Sequence, residues 1–304
     1  MFSVYHTKVL KSTERHILYM GDYVNYFDLH CDTASEIYNK KTDFFEGSLA
    51  VSFNKIPFDK WCQTFAFFIK DDRENPFSLY KNMLSYFTDK MKISLQPFEY
   101  ILAVEGGAVL QEDCDRLYIL KNDRIKFLSL AWNGETALAG GVYSDKGLTS
   151  LGEKAVALMN KLKIACDLSH LNEKSFYKAV ELSSYPLATH SNCYNICCHK
   201  RNLKEEQIKA VSEKKGIIGL CFYPQFLGCD VLEGIYKNIF YLLDKGYEDI
   251  IAIGSDFDGG EMDKKLDNIA KVPILYRYLE DKGIENQLLS KIFYENAEKF
   301  VAKL

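Results

Sequence analysis

Several features that define other classes of protein are missing from this sequence. Nowhere do about 18 apolar residues follow one another, so no membrane-spanning helix and no membrane partner are predicted. Basic residues are not in excess: the chain has 38 Lys and Arg and 42 Asp and Glu, which gives a net charge of −4. Binding to nucleic acid is therefore not expected. The N-terminal segment has charged residues at positions 8, 11, 14 and 15 and lacks the apolar core of a secretory signal.

A disulfide framework is not expected either, although the chain has nine cysteines. Their number is odd and they show no CxxC repeat, which is typical of reduced and mostly buried thiols. Together with the missing secretory signal, this predicts a cytoplasmic protein.

Proline is scarce, with 6 in 304 residues, and no Pro-rich or Ser-rich linker divides the chain. We therefore expect a single domain over residues 1–304, in which residues 1–22 form an extension without an assigned role. Hydrophobic residues make up 47% of the chain and charged residues 26%, so a disordered or fibrous protein is excluded.

Eight short apolar runs alternate with amphipathic stretches along the whole sequence. The runs are 26–31, 64–69, 100–104, 125–132, 164–168, 187–190, 216–222 and 249–254. Most are continuously apolar, as in parallel strands covered on both faces. This alternation predicts an α/β fold, namely a (β/α)8 TIM-like barrel. An open doubly wound sheet is the alternative, but no GxGxxG motif supports its dinucleotide-binding version.

Three helix starts can be located between these runs. The Ser150 to Glu153 segment has the spacing of a capping box, and Asn172 is the expected N-cap of the next helix. The segment from Asn202 to Glu205 is a looser version of the same capping signal.

Metal-ligand residue types occur where the predicted strands end, which is where a barrel carries its chemistry. Only 6 histidines occur in the chain, and three of them lie at expected strand ends. The candidate metal ligands are His30, Asp32, Glu105, His170, His190 and Asp256.

The spacing of these residues favours a metal site. His30 and Asp32 are two positions apart on a strand, so their side chains point the same way and suit zinc or a similar divalent ion. Two glycines after Glu105 leave its carboxylate free at the rim, where its two oxygens can bridge two cations. Each residue alone also fits an ordinary role, such as a core histidine or an N-cap. Six nitrogen and oxygen ligands together suit two metal ions. Cys31 points the opposite way and is expected to pack in the barrel wall.

These residues resemble the motifs of the membrane dipeptidase (renal dipeptidase) family of zinc metallopeptidases, in the amidohydrolase superfamily. The resemblance extends from residue 27 to about residue 302, in the segments FDLHCDT, AVEGG, GLTSLGEKAVALMNKLKIACDLSHL, ATHSN, HKRNL and IGSDFDGG. It implies a metallo-dependent hydrolase barrel with a binuclear zinc centre. His30 and Asp32 would bind the first ion, Glu105 would bridge both ions, and His170 and His190 would bind the second.

The resemblance also implies roles around the metals. Asp256 would lie beside the first ion and act as the catalytic acid and base. Arg201 matches the substrate-binding arginine of the family, with Asn202 beside it. A guanidinium is a natural clamp for a substrate carboxylate, although a surface arginine in a basic run is the alternative. The aromatic segment 222–226, which includes Phe226, resembles a wall of the family's pocket.

One position departs from the family pattern. Many members have a histidine after the fourth strand that contacts the substrate near the scissile bond, and here Trp132 takes that place, followed by Asn133. The same Trp–Asn pair resembles a bacterial branch of the family. The metal ligands are unaffected, whereas oxyanion stabilisation and substrate preference are expected to differ.

The predicted function is therefore hydrolysis of the peptide bond of a small dipeptide by metal-activated water. The resemblance adds tolerance for a C-terminal D-residue, and two divalent ions, expected to be Zn²⁺, serve as cofactors. Oligomeric state is left open, with a homodimer as one option. Two alternatives remain: a related binuclear hydrolase that acts on another amide, a lactone or a phosphoester, and an inactive barrel used for binding. A complete metal-ligand set argues against the inactive barrel.

Overall fold

The strands close into a barrel in which each strand pairs in parallel with the next one along the chain. The computed structural model describes residues 24–45, 47–91 and 98–304. The strands are β1 (Tyr26–Cys31), β2 (Trp61–Phe68), β3 (Glu99–Glu105), β4 (Ile125–Ser129), β5 (Ala165–Asp167), β6 (Pro186–Ala188), β7 (Ile217–Leu220) and β8 (Ile251–Ile253). Asp28 of β1 pairs with Ile253 of β8 and closes the barrel. The predicted (β/α)8 fold is confirmed.

Helices surround the barrel and connect its strands. They are α1 (Thr33–Lys40), α2 (Pro76–Met91), α3 (Arg116–Asn122), α4 (Ser150–Leu162), α5 (Glu173–Leu182), α6 (Glu205–Glu213), α7 (Val231–Asp244), α8 (Val272–Asp281), α9 (Asn286–Ser290) and α10 (Asn296–Val301). None of the described helices is both long enough and apolar enough to cross a bilayer. The expected extension, residues 1–22, lies outside the described residues.

The helix starts were predicted well in position but not always in capping residue. Asn172 is the N-cap of α5, as expected, and its Oδ1 accepts the backbone N–H of Ser175 at 2.9 Å. The cap of α4 is Thr149, whose Oγ1 accepts from Gly152, so the capping box predicted at Ser150 is wrong by one residue. Thr149 is extended while Ser150 is already helical, and an N-cap needs the extended conformation.

The start of α6 also differs from the prediction. Its N-cap is Lys204, whose backbone N–H donates to the Gln207 side chain at 2.9 Å. The predicted cap, Asn202, instead donates from its amide to the carbonyls of Cys197 and Phe226. Its side chain is therefore committed to the loops before the helix and not to the helix itself.

Strand β4 ends at Ser129, three residues before the predicted end at Trp132. Leu130 and Ala131 are fully buried, which explains their apolar character, but they lie beyond the strand. The carbonyl of Leu130 accepts the hydroxyl of Thr136 at 2.7 Å. Burial, and not strand pairing, therefore accounts for the apolar residues that lengthened the predicted strand.

Two apolar clusters hold the barrel together. The larger one lies between strands and helices and includes Cys31, which is fully buried as expected. The smaller one takes residues from all eight strands, such as Phe127 and Ala252, and packs against Tyr294, Ala297 and Phe300 near the C-terminus of the chain. The interior of the barrel is thus filled with side chains, and polar residues gather at the C-terminal ends of the strands.

Beneath the polar end, three strands approach so closely that only glycine fits. A Cβ on Gly254 would lie 1.6 Å from the carbonyl oxygen of Thr189, and one on Gly219 would lie 2.0 Å from the same atom. Backbone atoms cannot move aside as a flexible side chain can. These glycines therefore set the spacing of β6, β7 and β8 below the site.

We expect Gly254→Ala to lower the free energy of unfolding by at least about 2 kcal/mol, because the added methyl overlaps backbone. Gly147→Ala is the matched control, since its Cβ would meet only the Lys174 Cβ at an ordinary 3.7 Å. Urea denaturation of both variants measures the difference. Equal midpoints for the two alanine variants would contradict the proposed steric constraint.

Candidate metal centre and substrate pocket

The six predicted ligands converge at the C-terminal end of the barrel. His30 lies within β1, Glu105 is the last residue of β3, and the other four follow β1, β5, β6 and β8 by one to three residues. Five of the six are less than 9% exposed. The sixth, Asp256, has a side chain that is 14% exposed. Polar side chains this deeply buried need partners for their charges and lone pairs.

Glu105 occupies the middle of the cluster, with imidazoles on both of its oxygens. Its Oε1 lies 2.8 Å from Nε2 of His170 and 3.5 Å from Nε2 of His190. Its Oε2 lies 3.6 Å from Nε2 of His30. The two oxygens of one carboxylate therefore face different sets of nitrogen ligands.

His30 lies close to two more carboxylates. Its Nε2 is 3.7 Å from Asp32 Oδ2 and 3.9 Å from Asp256 Oδ1, both beyond hydrogen-bonding distance. His30 Nε2 and Asp32 Oδ1 are buried atoms without a hydrogen-bond partner among the described residues. Buried nitrogen and oxygen atoms that lack hydrogen-bond partners and lie close together can be satisfied by a metal ion that accepts their lone pairs.

Within the described residues, two sets of three ligand atoms lie close enough to hold one ion each, with all atoms inside 4.8 Å of one another. One set is His30, Glu105 and His190, and the other is His30, Asp32 and Asp256. His30 belongs to both sets, whereas the sequence assigned it to the first ion alone. His170 joins through a 2.9 Å approach of its Nε2 to that of His190. Nitrogen and carboxylate donors of this kind fit zinc and similar divalent ions.

Two of these residues have strained backbones. His170 has φ of 72° and Asp256 has φ of 64°, in the left-handed region that L-residues adopt at a cost of about 1–3 kcal/mol. Gly106, directly after Glu105, has φ of 120°, and a Cβ there would lie 1.9 Å from the carbonyl oxygen of Ile69. The chain therefore turns sharply at the site, and these turns direct the side chains inward.

Burial dominates the acid–base behaviour of the carboxylates. It raises the pKa of Asp32 to about 7, with a further contribution from the negative charge of Glu105. It also raises the pKa of Asp256 to about 6. Burial acts in the same direction on Glu105, but the imidazoles of His30 and His170 outweigh it and hold the pKa of Glu105 well below its usual range.

Among the three imidazoles of the cluster, two have a lowered pKa and one has a raised pKa. Burial lowers the pKa of His170 to about 4, assisted by the positive charge of Arg201, and it also lowers the pKa of His190. For His30, burial is outweighed by the carboxylates of Glu105 and Asp32, and the pKa is raised well above its usual value. A bound cation would favour ionised carboxylates and neutral imidazoles together, so the residues fit a divalent metal.

A buried aspartate below the site orients His190. Asp167 accepts the hydroxyl of Thr189 at 2.6 Å and the backbone N–H groups of Ser169 and Thr189. Because the Thr189 hydroxyl donates its hydrogen bond to Asp167, the Thr189 oxygen can accept a hydrogen bond from the N–H of His190 Nδ1, which lies 2.9 Å away. This arrangement leaves His190 Nε2 facing Glu105.

On the opposite side of the barrel, the buried carboxylate of Asp28 also accepts hydrogen bonds from segments that carry candidate ligands. It accepts the backbone N–H of Ser255 at 2.8 Å, the Ser255 hydroxyl at 2.6 Å and the backbone N–H of His30 at 3.2 Å. Ser255 directly precedes Asp256 in sequence. One buried carboxylate therefore holds together the two segments that carry His30 and Asp256.

A pocket of about 460 Å³ opens above the cluster. Trp132, Tyr223 and Phe226 line it, together with Arg201 and His199. The Trp132 ring packs edge-on against Phe68, with 5.0 Å between the ring centres, and its centre lies 5.9 Å from that of the His170 ring. The predicted aromatic wall and Trp132 thus border the space next to the six ligands.

Arg201 is deeply buried on the pocket wall, although the basic run around it suggested a surface position as an alternative. It is 5% exposed, and its guanidinium lies 5.4 Å from the centre of the Phe226 ring. One end of the guanidinium donates to the His190 carbonyl at 3.2 Å, whereas its Nε has no partner among the described residues. A buried guanidinium with an unused donor is suited to an anionic ligand.

Asn202 has a different place from the one expected. It is 4% exposed and joins the Cys197 and Phe226 loops through its amide, as described above. Its position is that of a support behind Arg201 and Phe226, and it is not among the pocket-lining residues.

Other residues of the site carried no clear signal in the sequence. His199 lines the pocket but read as part of a basic run with Lys200. Cys221 follows β7, and its thiol lies 3.5 Å from Asp256 Oδ2. Asn133 contacts His170 from a distant loop. Contacts between residues far apart in sequence leave no local pattern, so only the fold reveals them.

A family model described as membrane dipeptidase (peptidase family M19) matches residues 79–303, about three quarters of the chain. An uncharacterised protein of the pqqA 5' region from Klebsiella pneumoniae is 35% identical over 158 residues, which cover 49% of this chain and 58% of that protein. The matched part of the chain spans about half the length of the curated relatives.

Solved structures match over a larger part of the chain. A dipeptidase, described as a metallopeptidase of family M19, has a TM-score of 0.85 at 23% identity and covers 92% of this chain and 98% of its own. A metallopeptidase from Rhodobacter sphaeroides, solved with a phosphinate mimic of the dipeptide L-Ala-D-Ala, has a TM-score of 0.85 at 22% identity over 92% and 99%. At these identities the likeness shows the fold, and it covers a larger share of the chain than the family model does.

Proposed function

Because the chain belongs to the membrane dipeptidase family, peptidase family M19, we propose that it is a metal-dependent hydrolase that cleaves the peptide bond of dipeptides. The observation that carries this proposal is the arrangement around Glu105. Three imidazoles approach its two oxygens, two further carboxylates flank His30, and a buried arginine lines the same pocket. The dipeptide mimic bound by the Rhodobacter sphaeroides relative supports the substrate class.

In this proposal the six ligands hold two divalent ions. Glu105 would bridge them, with His30, Asp32 and Asp256 on one side and His170 and His190 on the other. Zn²⁺ is the expected ion because imidazole and carboxylate donors suit it and no thiolate belongs to the set. When bound, such ions polarise a carbonyl and lower the pKa of water toward about 7.

Asp256 is proposed as the group that moves the proton. Its carboxylate belongs to the ligand cluster, and a bound cation would keep it ionised although burial alone raises its pKa to about 6. An ionised carboxylate in this place can take a proton from water and return it to the leaving amine. Two features fix the direction in which the Asp256 carboxylate points. Its backbone is left-handed, and the preceding residue, Ser255, donates its backbone N–H to Asp28.

Arg201 is proposed to bind the C-terminal carboxylate of the substrate. Its guanidinium is buried, and an anion paired with it there would be little screened by water. The fixed distance between this charge and the metal ligands would select a short substrate whose carboxylate lies next to the scissile bond. This accounts for a preference for dipeptides over longer chains.

The cellular setting follows the sequence prediction. All nine cysteines carry free thiols in the structure, which supports a reducing compartment such as the cytoplasm. A homodimer stays a prediction, and so does acceptance of a C-terminal D-residue.

The metal assignment can be tested by removing single ligands. We expect His170→Ala and His190→Ala each to retain about one metal ion per chain instead of two, because each supplies one of few ligands to the second ion. Elemental analysis of the purified proteins measures the ratio. His199→Ala is the matched control, a histidine of the same pocket outside the ligand set, and should retain both ions. Two ions in all three variants would exclude the assignment.

Replacement of Asp256 by asparagine tests the proton transfer. We expect Asp256→Asn to lose at least about a hundredfold in turnover, since the amide cannot accept the proton. The variant should fold, because asparagine tolerates a φ near 64° better than most residues. Asp258→Asn is the control: it has φ of 66° and lines the same pocket, but its carboxylate is occupied by Thr33 and the Ala50 backbone. Turnover of Asp256→Asn equal to that of the control would place the base elsewhere.

Substrates with and without a free carboxylate test the role of Arg201. Wild type should cleave a dipeptide much faster than its C-terminal amide, and faster than an N-acyl amino acid or a phosphoester. In Arg201→Met, kcat/KM for the free acid should fall about 30- to 1,000-fold, which corresponds to roughly 2–4 kcal/mol, until acid and amide react alike. For Arg201→Lys, kcat/KM for the free acid should lie between the values of wild type and Arg201→Met, because lysine keeps the charge but lacks the planar guanidinium that forms two hydrogen bonds.

Lys200→Met is the control for this series. Lys200 is exposed and next in sequence, so the acid-to-amide ratio should not change. If both rates fall together in Arg201→Met while their ratio holds, the arginine does not bind the carboxylate. A wild-type enzyme that prefers phosphoesters or lactones would contradict the proposed substrate class.

A further inference from the structure

We propose that Asn133 and Asp71 form a positioning pair that fixes the ring of His170 for metal binding. The inference rests on the proposed function, since it concerns a ligand of the proposed second ion. It assigns a structural cause to the orientation of one imidazole, and it assigns a role to the residue that follows Trp132 in the loop after β4.

The first step is the contact between Asn133 and His170. Asn133 Oδ1 lies 2.9 Å from Nδ1 of His170. An amide oxygen can only accept a hydrogen bond, so the proton of the neutral imidazole is held on Nδ1. The lone pair of the other nitrogen, Nε2, then points toward Glu105 Oε1, 2.8 Å away. This tautomer is the one that can bind a metal at Nε2.

The second step is the way Asp71 holds Asn133. The two carboxylate oxygens of Asp71 accept the backbone N–H groups on either side of Asn133, from Trp132 at 2.7 Å and from Gly134 at 2.6 Å. Asp71 lies in the loop after β2, about 60 residues earlier in sequence. One half-buried carboxylate therefore spans the residue whose side chain meets His170.

Hydrogen bonds between backbone groups also hold the loop that carries Asn133. The carbonyl of Asn133 accepts the N–H of Tyr143 at 2.9 Å, and the carbonyl of Gly134 accepts the N–H of Gly141. A Cβ on Gly141 would lie 2.0 Å from the Trp132 carbonyl oxygen, so the two sides of the loop are in direct contact. A rigid loop can hold the Asn133 oxygen at one point.

His170 needs such an external constraint. Its left-handed backbone is unfavourable for a histidine, and such strain persists only where surrounding contacts determine the conformation. A neutral ring can place its proton on either nitrogen, and the Asn133 oxygen selects which one.

The test compares two substitutions at Asn133 in the full-length, metal-loaded enzyme. Asn133→Asp keeps an oxygen acceptor of the same size, whereas Asn133→Leu keeps the size and removes the acceptor. Titration with a zinc chelator measures the affinity of the more weakly held ion. We expect Asn133→Leu to bind this ion about 10- to 100-fold more weakly, as is typical when a ligand loses its hydrogen-bonding partner, and Asn133→Asp to bind it at least as tightly as wild type.

Asp71 is tested through its dependence on Asn133. Asp71→Asn should weaken binding of the same ion in the wild-type background and add nothing in the Asn133→Leu background, because the contact it positions is already lost. Asp72→Asn is the matched control, with the same change at the exposed neighbour, and should leave the affinity unchanged. Thermal unfolding of each variant shows whether it folds.

The outcomes separate this inference from the proposed function. If wild type binds two ions and Asn133→Leu binds both equally well, the inference is wrong and the function stands. Equal losses in the Leu and Asp variants would also overturn it, because they would indicate packing and not an acceptor. Unchanged affinity with a fall in kcat/KM would mean that Asn133 contacts the substrate instead. A wild-type protein that binds no divalent metal would overturn the function and the inference together.

Discussion

Glu105 is the carboxylate that all three imidazoles of the site approach, and the upper rim of the barrel is arranged around it. Its position at the end of β3 gives one oxygen to His30 and the other to His170 and His190. The glycine that follows turns the chain away at a point where a Cβ would overlap the backbone of the β2 loop. A carboxylate charge buried at this rim constrains every neighbour, because each must neutralise it or donate a hydrogen bond to it.

Aspartates outside the ligand set meet this constraint by fixing the loops. Asp28 holds the segments of β1 and β8, Asp167 holds those of β5 and β6, and Asp71 holds the loop after β4. Each accepts backbone N–H groups from the loop that carries a ligand or its partner. The strained conformations of His170 and Asp256 are therefore supported by bonds from outside their own segments, which allows the ligands to keep an orientation that the local sequence disfavours.

The sequence predicted the barrel because strand burial and strand order are local and repetitive properties. It singled out six candidate ligands, which the structure brings together, because strand ends are recognisable and the His30–Asp32 spacing is short. It could not predict the end of β4, since Leu130 and Ala131 are apolar through burial in a loop. Nor could it predict Asn133 or Asp71, whose partners lie 37 and about 60 residues away along the chain. Asn202 does not line the pocket, because adjacency to Arg201 in sequence does not place both side chains on the same wall.

The charged groups of the pocket come from different segments of the barrel rim, and this placement connects the fold to the proposed substrate. Three carboxylates lie on the side of β1, β3 and β8, while Arg201 comes from the loop after β6, next to Phe226. Divalent ions would neutralise the carboxylate side, but the guanidinium would still need an anion. A peptide carboxylate is such an anion, and the scissile carbonyl of a dipeptide lies one residue from it. The same pair of charges would disfavour a neutral ester or an amidated peptide, because the buried guanidinium would then remain unpaired.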